Sequence, residues 1–231
     1  MAFAVALAAV AGCAHRRNTT VNPPATVPQP SAPSQPSGAQ PLGRPPISGA
    51  YVEQGIASWY GVPFNGRRTS NGEIYDMHQF TAAHRTLPFG SMVRVTNLQN
   101  GKQTEVRIND RGPFVANRVI DLSQSAAQAL GMIGTGTARV KLEVVAAGPN
   151  PSGGFFAVQV GAFLKQENAE KLKENLASRY APIDVVAFDS PNGMFYRVRV
   201  GRLPTENAAQ RLAGHLRNTE QFTTFVIRID N

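Results

Sequence analysis

Asp110 has the sequence context most suggestive of chemistry, since it lies in the hexapeptide Asn-Asp-Arg-Gly-Pro-Phe at 109–114. Polar and apolar residues alternate over 104–108, which predicts a half-buried strand. Gly112-Pro113 then turns the chain, so the carboxylate of Asp110 is expected at the end of that strand. A carboxylate fixed there could act as a general acid or base, or it could form a structural salt bridge with Arg111.

Other acidic and histidine side chains in the same region could take part in acid–base chemistry, namely Glu73, Asp76, His78, His84 and Asp121. Glu73 follows a turn-rich segment and is predicted to be accessible. A structural role suffices for Asp76, which can cap a turn, and for Asp121, which is predicted to cap a helix. His84 follows two alanines, a context more typical of a hydrogen-bonded core histidine than of a catalyst.

Neither a metal nor a cofactor is predicted. His78 and His84 are six residues apart and lack a cysteine or a paired carboxylate at ligand spacing. The sequence contains no nucleophile elbow, phosphate loop or dinucleotide fingerprint. The formal net charge of +8 is spread along the chain without a block of like charge, which argues against a nucleic-acid partner.

Short β-type segments separated by turns must position these candidates. The strongest strand signals lie at 55–60, 92–96, 103–108 and 138–145. Asn100-Gly101 predicts a hairpin between the second and third of them. The segment 121–130 predicts one helix, with Asp121 as its N-terminal cap and Gly131 as its stop. About six strands with one inserted helix predict a small closed barrel at 51–146.

An internal repeat organises the C-terminal segment 154–231. Ala-Val-Gln-Val-Gly-Ala-Phe at 157–163 is echoed by Arg-Val-Arg-Val-Gly-Arg-Leu at 197–203. Each copy leads into an amphipathic helix, predicted at 169–180 and 208–218, and then into a further strand. This pattern predicts a small α+β domain of two βαβ repeats, with an antiparallel sheet and its helices on one face.

The first 13 residues are apolar and end in Cys13, the only cysteine. They are too few to span a bilayer as a helix, which takes about 20 residues. They fit the core of a secretory signal, and Val-Ala-Gly-Cys at 10–13 resembles a bacterial lipobox, so 1–13 is predicted to be a leader with lipidation at Cys13. Proline-rich residues 14–50 predict a disordered tether, and 147–153 a shorter linker.

Four motifs, with Ile-Asp-Leu-Ser at 120–123 in support, resemble the RlpA (rare lipoprotein A) family. They are Gly-Ile-Ala-Ser-Trp-Tyr-Gly at 55–61, Gly-Arg-Arg-Thr-Ser-Asn-Gly-Glu at 66–73, Thr-Ala-Ala-His-Arg-Thr-Leu-Pro at 81–88 and the hexapeptide at 109–114. The resemblance implies a double-psi β-barrel, all-β with one short helix, at 51–146. Val-Gln-Val-Gly-Ala-Phe at 158–163 resembles the SPOR domain, which implies that 154–231 is a peptidoglycan-binding module.

The family resemblance implies a lytic transglycosylase, a carbon–oxygen lyase that cleaves peptidoglycan glycan strands endolytically. It implies action on denuded strands, which lack stem peptides, at the division septum, with 1,6-anhydromuramic acid ends as products. The implied catalytic residues are Asp110, Glu73 and His84. A neighbouring carboxylate such as Glu73 is expected to raise one pKa of the pair, so that the acid is neutral near pH 7.

Further side chains are expected to contact glycan. In the barrel these are Trp59, Tyr60, Asn65, which stands where many relatives have histidine, and Arg111. In the C-terminal domain Gln159, Phe156, Arg197 and Arg199 are expected on a sugar-facing sheet surface. Aromatic rings stack on sugars, and glutamine and arginine hydrogen-bond hydroxyl and acetamide groups. Phe156 and Phe163 could instead be core residues.

The same resemblance implies a periplasmic lipoprotein, held to the membrane through Cys13 and enriched at the division septum, with divisome proteins as further candidate partners. Ala14, which follows the cysteine, favours the outer membrane over the inner one. One alternative from a different class stays open. The barrel could bind or loosen polysaccharide without cutting it, as the similar expansin barrels do.

Overall fold

The computed structural model describes residues 51–230. The predicted leader at 1–13, its Cys13 and the predicted tether at 14–50 lie outside the described residues. Within the described part, no helix combines the length and the apolar character that crossing a membrane would take.

Six strands of the N-terminal domain close into a barrel in the order β1-β5-β2-β4-β3-β6. They are β1 (Val52–Tyr60), β2 (Thr81–His84), β3 (Met92–Asn97), β4 (Gln103–Asp110), β5 (Arg118–Ser123) and β6 (Thr137–Ala146), with one short helix, α1 (Gln124–Ala129). The β1/β5 and β2/β4 pairs are parallel, and the other pairs are antiparallel. The predicted barrel with one short helix is therefore confirmed.

Alternating side chains explain why these segments form a barrel. Along β3, Val93 and Val95 are fully buried, while Met92, Arg94 and Thr96 are only partly buried. The hairpin predicted at Asn100-Gly101 joins β3 to β4, and the Gly101 N–H donates to the carbonyl of Asn97 at 2.9 Å. Gly101 has φ +72°, a left-handed conformation that glycine adopts without steric cost.

The helix before β6 begins later than its sequence predicts. Ser123 is its N-cap, and the Ser123 hydroxyl accepts a hydrogen bond from the Ala126 N–H at 3.3 Å. Asp121 lies two residues earlier, inside β5, so the expectation that Asp121 caps the helix is wrong. Both serine and aspartate are good cap residues, and here the pairing of β5 with β1 extends as far as Ser123. The carboxylate of Asp121 is therefore free to contact Ser58 and Arg118 instead of the start of the helix.

The C-terminal domain is one four-stranded antiparallel sheet in the order β10-β7-β9-β8. Its elements are β7 (Phe155–Phe163), α2 (Gln166–Ala177), β8 (Ile183–Ser190), β9 (Gly193–Leu203), α3 (Glu206–Glu220) and β10 (Phe225–Ile229). The predicted pair of βαβ repeats is confirmed. The two repeated segments pair directly as the central strands, with Gln159 opposite Arg199.

One face of this sheet packs against the helices, and the other face carries polar side chains. Val158 and Val200 belong to a buried cluster with Leu176 of α2 and Leu216 of α3. Phe156 belongs to the same cluster, so its expected place on the sugar-facing surface is wrong. The reason is the two-residue period of a strand, which gives Phe156 the same face as Val158. Phe163 is partly buried against the same cluster.

The connection between the two domains is held at several points. The Gly148 N–H donates to the hydroxyl of Ser91 at 3.1 Å, next to β3. The guanidinium of Arg228, in β10, donates to the carbonyls of Asn150, at 2.7 Å, and Gly153. Because carbonyls of the connection are bound by the last strand of the chain, the path between the barrel and the C-terminal sheet is a defined one.

Candidate active site

Strand register places polar side chains from distant parts of the sequence in one row across the barrel. Asp110 on β4 is the register partner of Ala83 on β2, Ala83 is the partner of Asp121 on β5, and Asp121 is the partner of Ser58 on β1. Neighbouring strands lie about 4.8 Å apart, so the backbones of the two aspartates are about 10 Å apart. The small Ala83 side chain between them leaves space for an occupant.

Asp110 is the last residue of β4, as its sequence predicts. Its Oδ1 accepts hydrogen bonds from the Ser70 N–H at 2.9 Å, the Ser70 hydroxyl at 2.5 Å and the Arg111 N–H at 2.7 Å. Among residues 51–230, none of the donors in contact with Asp110 is hydrogen-bonded to Oδ2. The carboxylate is therefore held by one oxygen while the other is left for a substrate or a proton.

Asp121 is a member of this row to which the sequence assigned only a structural role, as the cap of a helix. The Ser58 hydroxyl donates to its Oδ1 at 2.5 Å, and Arg118 donates to both of its oxygens at 2.7 Å. These charge-assisted bonds hold Asp121 as an ion pair next to the row's open space. The signal that could have found it is Ile-Asp-Leu-Ser at 120–123, where apolar and polar residues alternate and so predict a strand through Asp121.

Trp59 and Tyr60 line the space above the row, in keeping with their expected place near substrate. The Tyr60 hydroxyl is buried and has no hydrogen-bond partner among the described residues. Burial raises the pKa of Tyr60 well above its ordinary value, and the nearby carboxylate of Asp110 adds to the shift. Tyr60 is therefore a neutral phenol with an unpaired hydroxyl, in a side chain that lines the cavity.

The row opens into a cavity of about 660 Å³, within the range of about 300–1,000 Å³ typical of small-ligand sites. Side chains of both domains line it. From the barrel they include Ser58, Trp59, Tyr60, Tyr75, Asp110, Arg118 and Asp121, and from the C-terminal sheet Gln159, Phe188, Phe195 and Arg197.

Glu73 lies beside this cavity but does not line it. Arg107 donates to both of its carboxylate oxygens at 2.8 and 2.9 Å, and the Asn109 side chain adds a third bond at 3.2 Å. The hydrogen bonds from Arg107 lower the pKa of Glu73 to about 2. The expected carboxylate pair with Asp110, in which Glu73 raises a pKa, is therefore wrong, because Glu73 is neutralised by an arginine.

Glu73 nevertheless acts on the loop that holds Asp110. The Glu73 carbonyl accepts hydrogen bonds from the Thr69 N–H at 2.8 Å and the Thr69 hydroxyl at 3.0 Å. Ser70, the next residue, supplies two of the three hydrogen bonds to Asp110. The ion pair with Arg107 therefore fastens this loop to β4.

His84 is buried away from the carboxylate of Asp110. Its Nδ1 accepts the N–H groups of Thr86 at 3.2 Å and Leu87 at 3.0 Å, so its proton is on Nε2, which donates to Glu53 at 3.0 Å. Burial lowers the pKa of His84, although the contact with Glu53 opposes that shift. The imidazole lines a different cavity from Asp110, so the structure does not bring the three expected catalytic side chains together.

Arg111 is committed to protein contacts, which corrects its expected role in binding substrate. Its guanidinium donates to the carbonyls of His84 at 3.1 Å, Leu87 at 2.9 Å and Arg228 at 3.1 Å, and forms an ion pair with Asp230. Only 5% of the residue is exposed. Arg111 therefore connects the backbone at Asp110 to the last strand of the C-terminal sheet.

Asn65 does not line the cavity either. Its side-chain oxygen accepts the Met77 N–H at 3.0 Å, an arrangement that shapes the loop before β2. Its expected contact with substrate has no counterpart in the geometry, because the side chain is used to fold its own loop.

Of the C-terminal residues expected to bind glycan, Gln159 and Arg197 line the cavity with Asp110. The side-chain amide oxygen of Gln159, Oε1, is buried and has no hydrogen-bond partner within the described chain. Arg197 lies between the rings of Phe188, at 3.5 Å, and Phe114 of the barrel, at 4.4 Å. Arg199 lines a separate, smaller cavity.

Within residues 51–230, no group of three or more His, Cys, Asp and Glu side chains is arranged to hold a metal ion. The chemistry that these residues can perform is acid–base chemistry at Asp110, in a cavity with aromatic walls and arginine side chains.

Comparison with protein families matches both domains. A family model described as lytic transglycolase matches residues 52–142, and the model of the SPOR domain matches residues 152–228. The two matches account for the barrel and for the C-terminal sheet with its helices.

Curated relatives carry the same name in several bacteria. The endolytic peptidoglycan transglycosylase RlpA of Campylobacter jejuni subsp. jejuni is 45% identical over 151 residues, which cover 54% of this chain and 54% of the relative. Its namesake in Neisseria meningitidis serogroup B is 59% identical over 98 residues, which cover 42% of this chain and 41% of the relative. The chain thus spans about half the length of these relatives, or less.

An expansin from Clavibacter michiganensis, solved in its apo form, is similar with a TM-score of 0.33 and 15% identity over 68% of this chain and 81% of that one. So low a score carries no argument about function. The two domain matches in this order, together with the curated relatives, show that the chain is similar to the RlpA endolytic peptidoglycan transglycosylases, with a barrel that matches the lytic transglycolase model followed by a match to the SPOR domain.

Proposed function

We propose that this chain is an endolytic peptidoglycan lytic transglycosylase whose proton donor and acceptor is Asp110. The observation that carries the proposal is the placement of Asp110 at the end of β4, held by one oxygen and lining a cavity large enough for sugar residues. The match of the barrel to the lytic transglycolase family and the names of the curated relatives support it.

The reaction needs one group that can both give and take a proton. A glycosidic oxygen is a poor leaving group until an acid protonates it, and protonated Asp110 would supply that proton through Oδ2. The resulting carboxylate would then take the proton from the 6-hydroxyl of the same muramic acid residue. The oxygen of that hydroxyl forms the 1,6-anhydro bond as the glycosidic bond breaks, so the reaction consumes no water.

In this proposal Glu73 and His84 act through other residues. Glu73 holds the loop whose Ser70 donates to Asp110, and His84 holds the turn whose Leu87 carbonyl binds Arg111. Arg118 and Ser58 hold the carboxylate of Asp121 in one orientation at the edge of the same cavity. Asp121 would therefore shape the site as part of an ion pair.

We further propose that the SPOR domain selects denuded glycan strands and brings the enzyme to the division septum, where divisome proteins would be its neighbours. The support is the SPOR match and the sheet face that lines the cavity of Asp110, which carries arginine and aromatic side chains. A lipid anchor on Cys13 and a place in the outer membrane remain part of the proposal, based on the lipobox-like sequence at 10–13.

The product of the reaction tests the proposed activity. Purified protein incubated with denuded glycan strands is expected to release fragments that end in 1,6-anhydromuramic acid, measured by mass spectrometry. Fragments with only reducing ends would identify a hydrolase instead. Binding without fragments would support the non-catalytic, expansin-like alternative. The matched control is Glu174→Gln on α2, an exposed carboxylate remote from the cavity, which is expected to leave the product yield unchanged.

The cellular proposals have their own measurements. A fluorescent fusion is expected to concentrate at the septum, and removal of residues 154–231 is expected to abolish that enrichment. Metabolic labelling with a fatty-acid analogue is expected to mark the wild-type chain and not Cys13→Ser. Uniform localisation of the full chain would contradict the targeting role.

A further inference from the structure

We propose that the SPOR domain completes the glycan site of the barrel, so that one strand contacts Asp110 and the SPOR sheet face at the same time. The cavity that Asp110 lines has one wall from the barrel and another from β7, β8 and β9. The SPOR domain would then be part of the substrate site in addition to its role in targeting. This inference rests on the proposed function, since it concerns the same cavity and the same substrate class.

Two unpaired polar groups, one from each domain, supply the first argument. The Tyr60 hydroxyl on the barrel and the side-chain oxygen of Gln159 on the SPOR sheet are both buried without a hydrogen-bond partner among the described residues. Both side chains line the cavity. A buried polar atom without a partner costs free energy, so such atoms mark places where a ligand or water completes the hydrogen bonds. Sugar hydroxyl and acetamide groups can donate to both.

The aromatic and cationic side chains supply the second argument. Phe114 belongs to the same hexapeptide as Asp110, and the guanidinium of Arg197 lies 4.4 Å from the centre of its ring. Phe188 covers the other face of that guanidinium at 3.5 Å. Arg197 is thus fixed as a positive group within the cavity of Asp110. A denuded strand carries free lactyl carboxylates, whereas a stem peptide would convert them to amides, so a fixed arginine favours the denuded form.

The contacts between the domains supply the third argument, because they hold the two walls in place. Arg111 of the barrel binds Asp230 and the carbonyl of Arg228, and the Arg228 N–H donates to the carbonyl of Arg85 at 2.9 Å. A second contact joins two further residues that line the cavity, since Arg67 of the barrel forms an ion pair with Asp189 of β8 at 2.7 Å. These contacts hold the SPOR sheet against the barrel at separate points.

A binding experiment with the full chain tests the shared site. The Asp110→Asn background prevents cleavage, and a soluble denuded glycan fragment is titrated by calorimetry. Two conservative variants remove one polar group each, Tyr60→Phe on the barrel and Gln159→Leu on the SPOR sheet. Because the Tyr60 hydroxyl and the side-chain oxygen of Gln159 have no hydrogen-bond partner among the described residues, both variants are expected to fold with little change in melting temperature.

The shared site predicts one binding event per chain, weakened by each variant about two- to tenfold, the usual net effect of one hydrogen bond. Gln128→Leu, an exposed glutamine on α1, is the matched control and is expected to change nothing. Two independent binding events, with each variant affecting only one of them, would overturn the shared site. The binding readout does not depend on turnover, so it separates failure of this inference from failure of the proposed activity.

A second measurement distinguishes a SPOR sheet that helps to bind the substrate from one that blocks its access to the barrel. Asp189→Ala removes the exposed ion pair with Arg67 and loosens one side of the cavity at small cost to stability. If the SPOR sheet contributes to substrate binding, cleavage of the soluble fragment is expected to fall or stay level. A several-fold rise in cleavage would show that the SPOR domain blocks the barrel, and would overturn the proposal.

Discussion

Asp110 and His84 lie on neighbouring strands and belong to motifs of similar character, yet their surroundings are opposite. Asp110 is the register partner of Ala83, the residue directly before His84. Successive side chains on a strand point to opposite faces, so Ala83 lines the cavity of Asp110 while His84, the next residue, points into a separate hydrogen-bond network. Asp110 keeps one oxygen free, whereas both nitrogens of His84 are occupied.

The comparison teaches that residue type alone does not assign a chemical role. A histidine with a neutral ring, two backbone donors on Nδ1 and a carboxylate on Nε2 can neither take up nor release a proton without breaking its contacts. An aspartate with an open oxygen in a cavity can do both. The two residues are therefore expected to respond to substitution in opposite ways, one in activity and the other in stability.

The largest expected effect is that of Asp110→Asn. Loss of the proton donor is expected to reduce cleavage of denuded strands by about 10²–10⁴-fold, the usual contribution of general acid–base catalysis. The asparagine oxygen can still accept the bonds from Ser70, so the melting temperature is expected to change little. Product release followed by chromatography measures the activity, and near-normal turnover would remove Asp110 from the mechanism.

His84→Ala is expected to act on stability. It leaves the N–H groups of Thr86 and Leu87 without an acceptor and opens a cavity in the barrel, with a loss of about 2–5 kcal/mol in the free energy of unfolding. Urea unfolding measures the loss. His78→Ala, at an exposed position in the same domain, is the control with no expected loss. A His84→Ala protein of unchanged stability but without activity would contradict the predicted role in stability and would return His84 to the catalytic set.

A pH series sharpens the same contrast. Burial lowers the pKa of His84 in the folded state, so the unfolded chain takes up the proton first as the pH falls below about 6.5. The free energy of unfolding is therefore expected to decrease from pH 7 to 5, by up to about 1.4 kcal/mol per pH unit. Tyr51, Glu53 and Arg85 share this environment, so the measured quantity is the difference in slope between wild type and His84→Gln. Equal slopes would contradict the prediction.

Glu73→Gln is expected to have the smallest effect. The side chain is 44% exposed, and exposed ion pairs contribute less than about 1 kcal/mol to stability. A glutamine can still accept one hydrogen bond from Arg107, so cleavage is expected to fall by less than about tenfold, or about 1.4 kcal/mol in the barrier. Kinetics on denuded strands measure it. A loss as large as that of Asp110→Asn would restore Glu73 as a catalytic carboxylate.

Local patterns predicted most of the fold. The strand before Asp110, the hairpin at Asn100-Gly101 and the repeated strands of the SPOR domain are set by alternation and turn chemistry within a few residues. The helix start was misplaced because Asp121 and Ser123 are both suitable caps, and only the pairing of β5 with β1 decides between them.

The candidate site was harder to predict, since it depends on contacts between distant segments. Asp110 was found because its strand and turn are contiguous. Its partner Ser70 is 40 residues away in sequence. The roles of Arg107, which pairs with Glu73, and Arg111, which binds the carbonyl of Leu87, depend on the distant residues that the fold brings to each. Phe156 could have been assigned to the core from its even spacing to Val158, because the two residues then lie on the same face of the strand.

The ion pair of Arg111 with Asp230 has a consequence for how freely the two domains can be exchanged. Two adjacent family matches suggest modules that could be recombined at will, yet the residue after the proposed proton donor is buried against the final strand of the neighbouring module. A chimera with a foreign SPOR domain would leave a buried guanidinium without its counter-charge. A functional exchange of SPOR domains would therefore have to keep both Arg111 of the barrel and its partner Asp230.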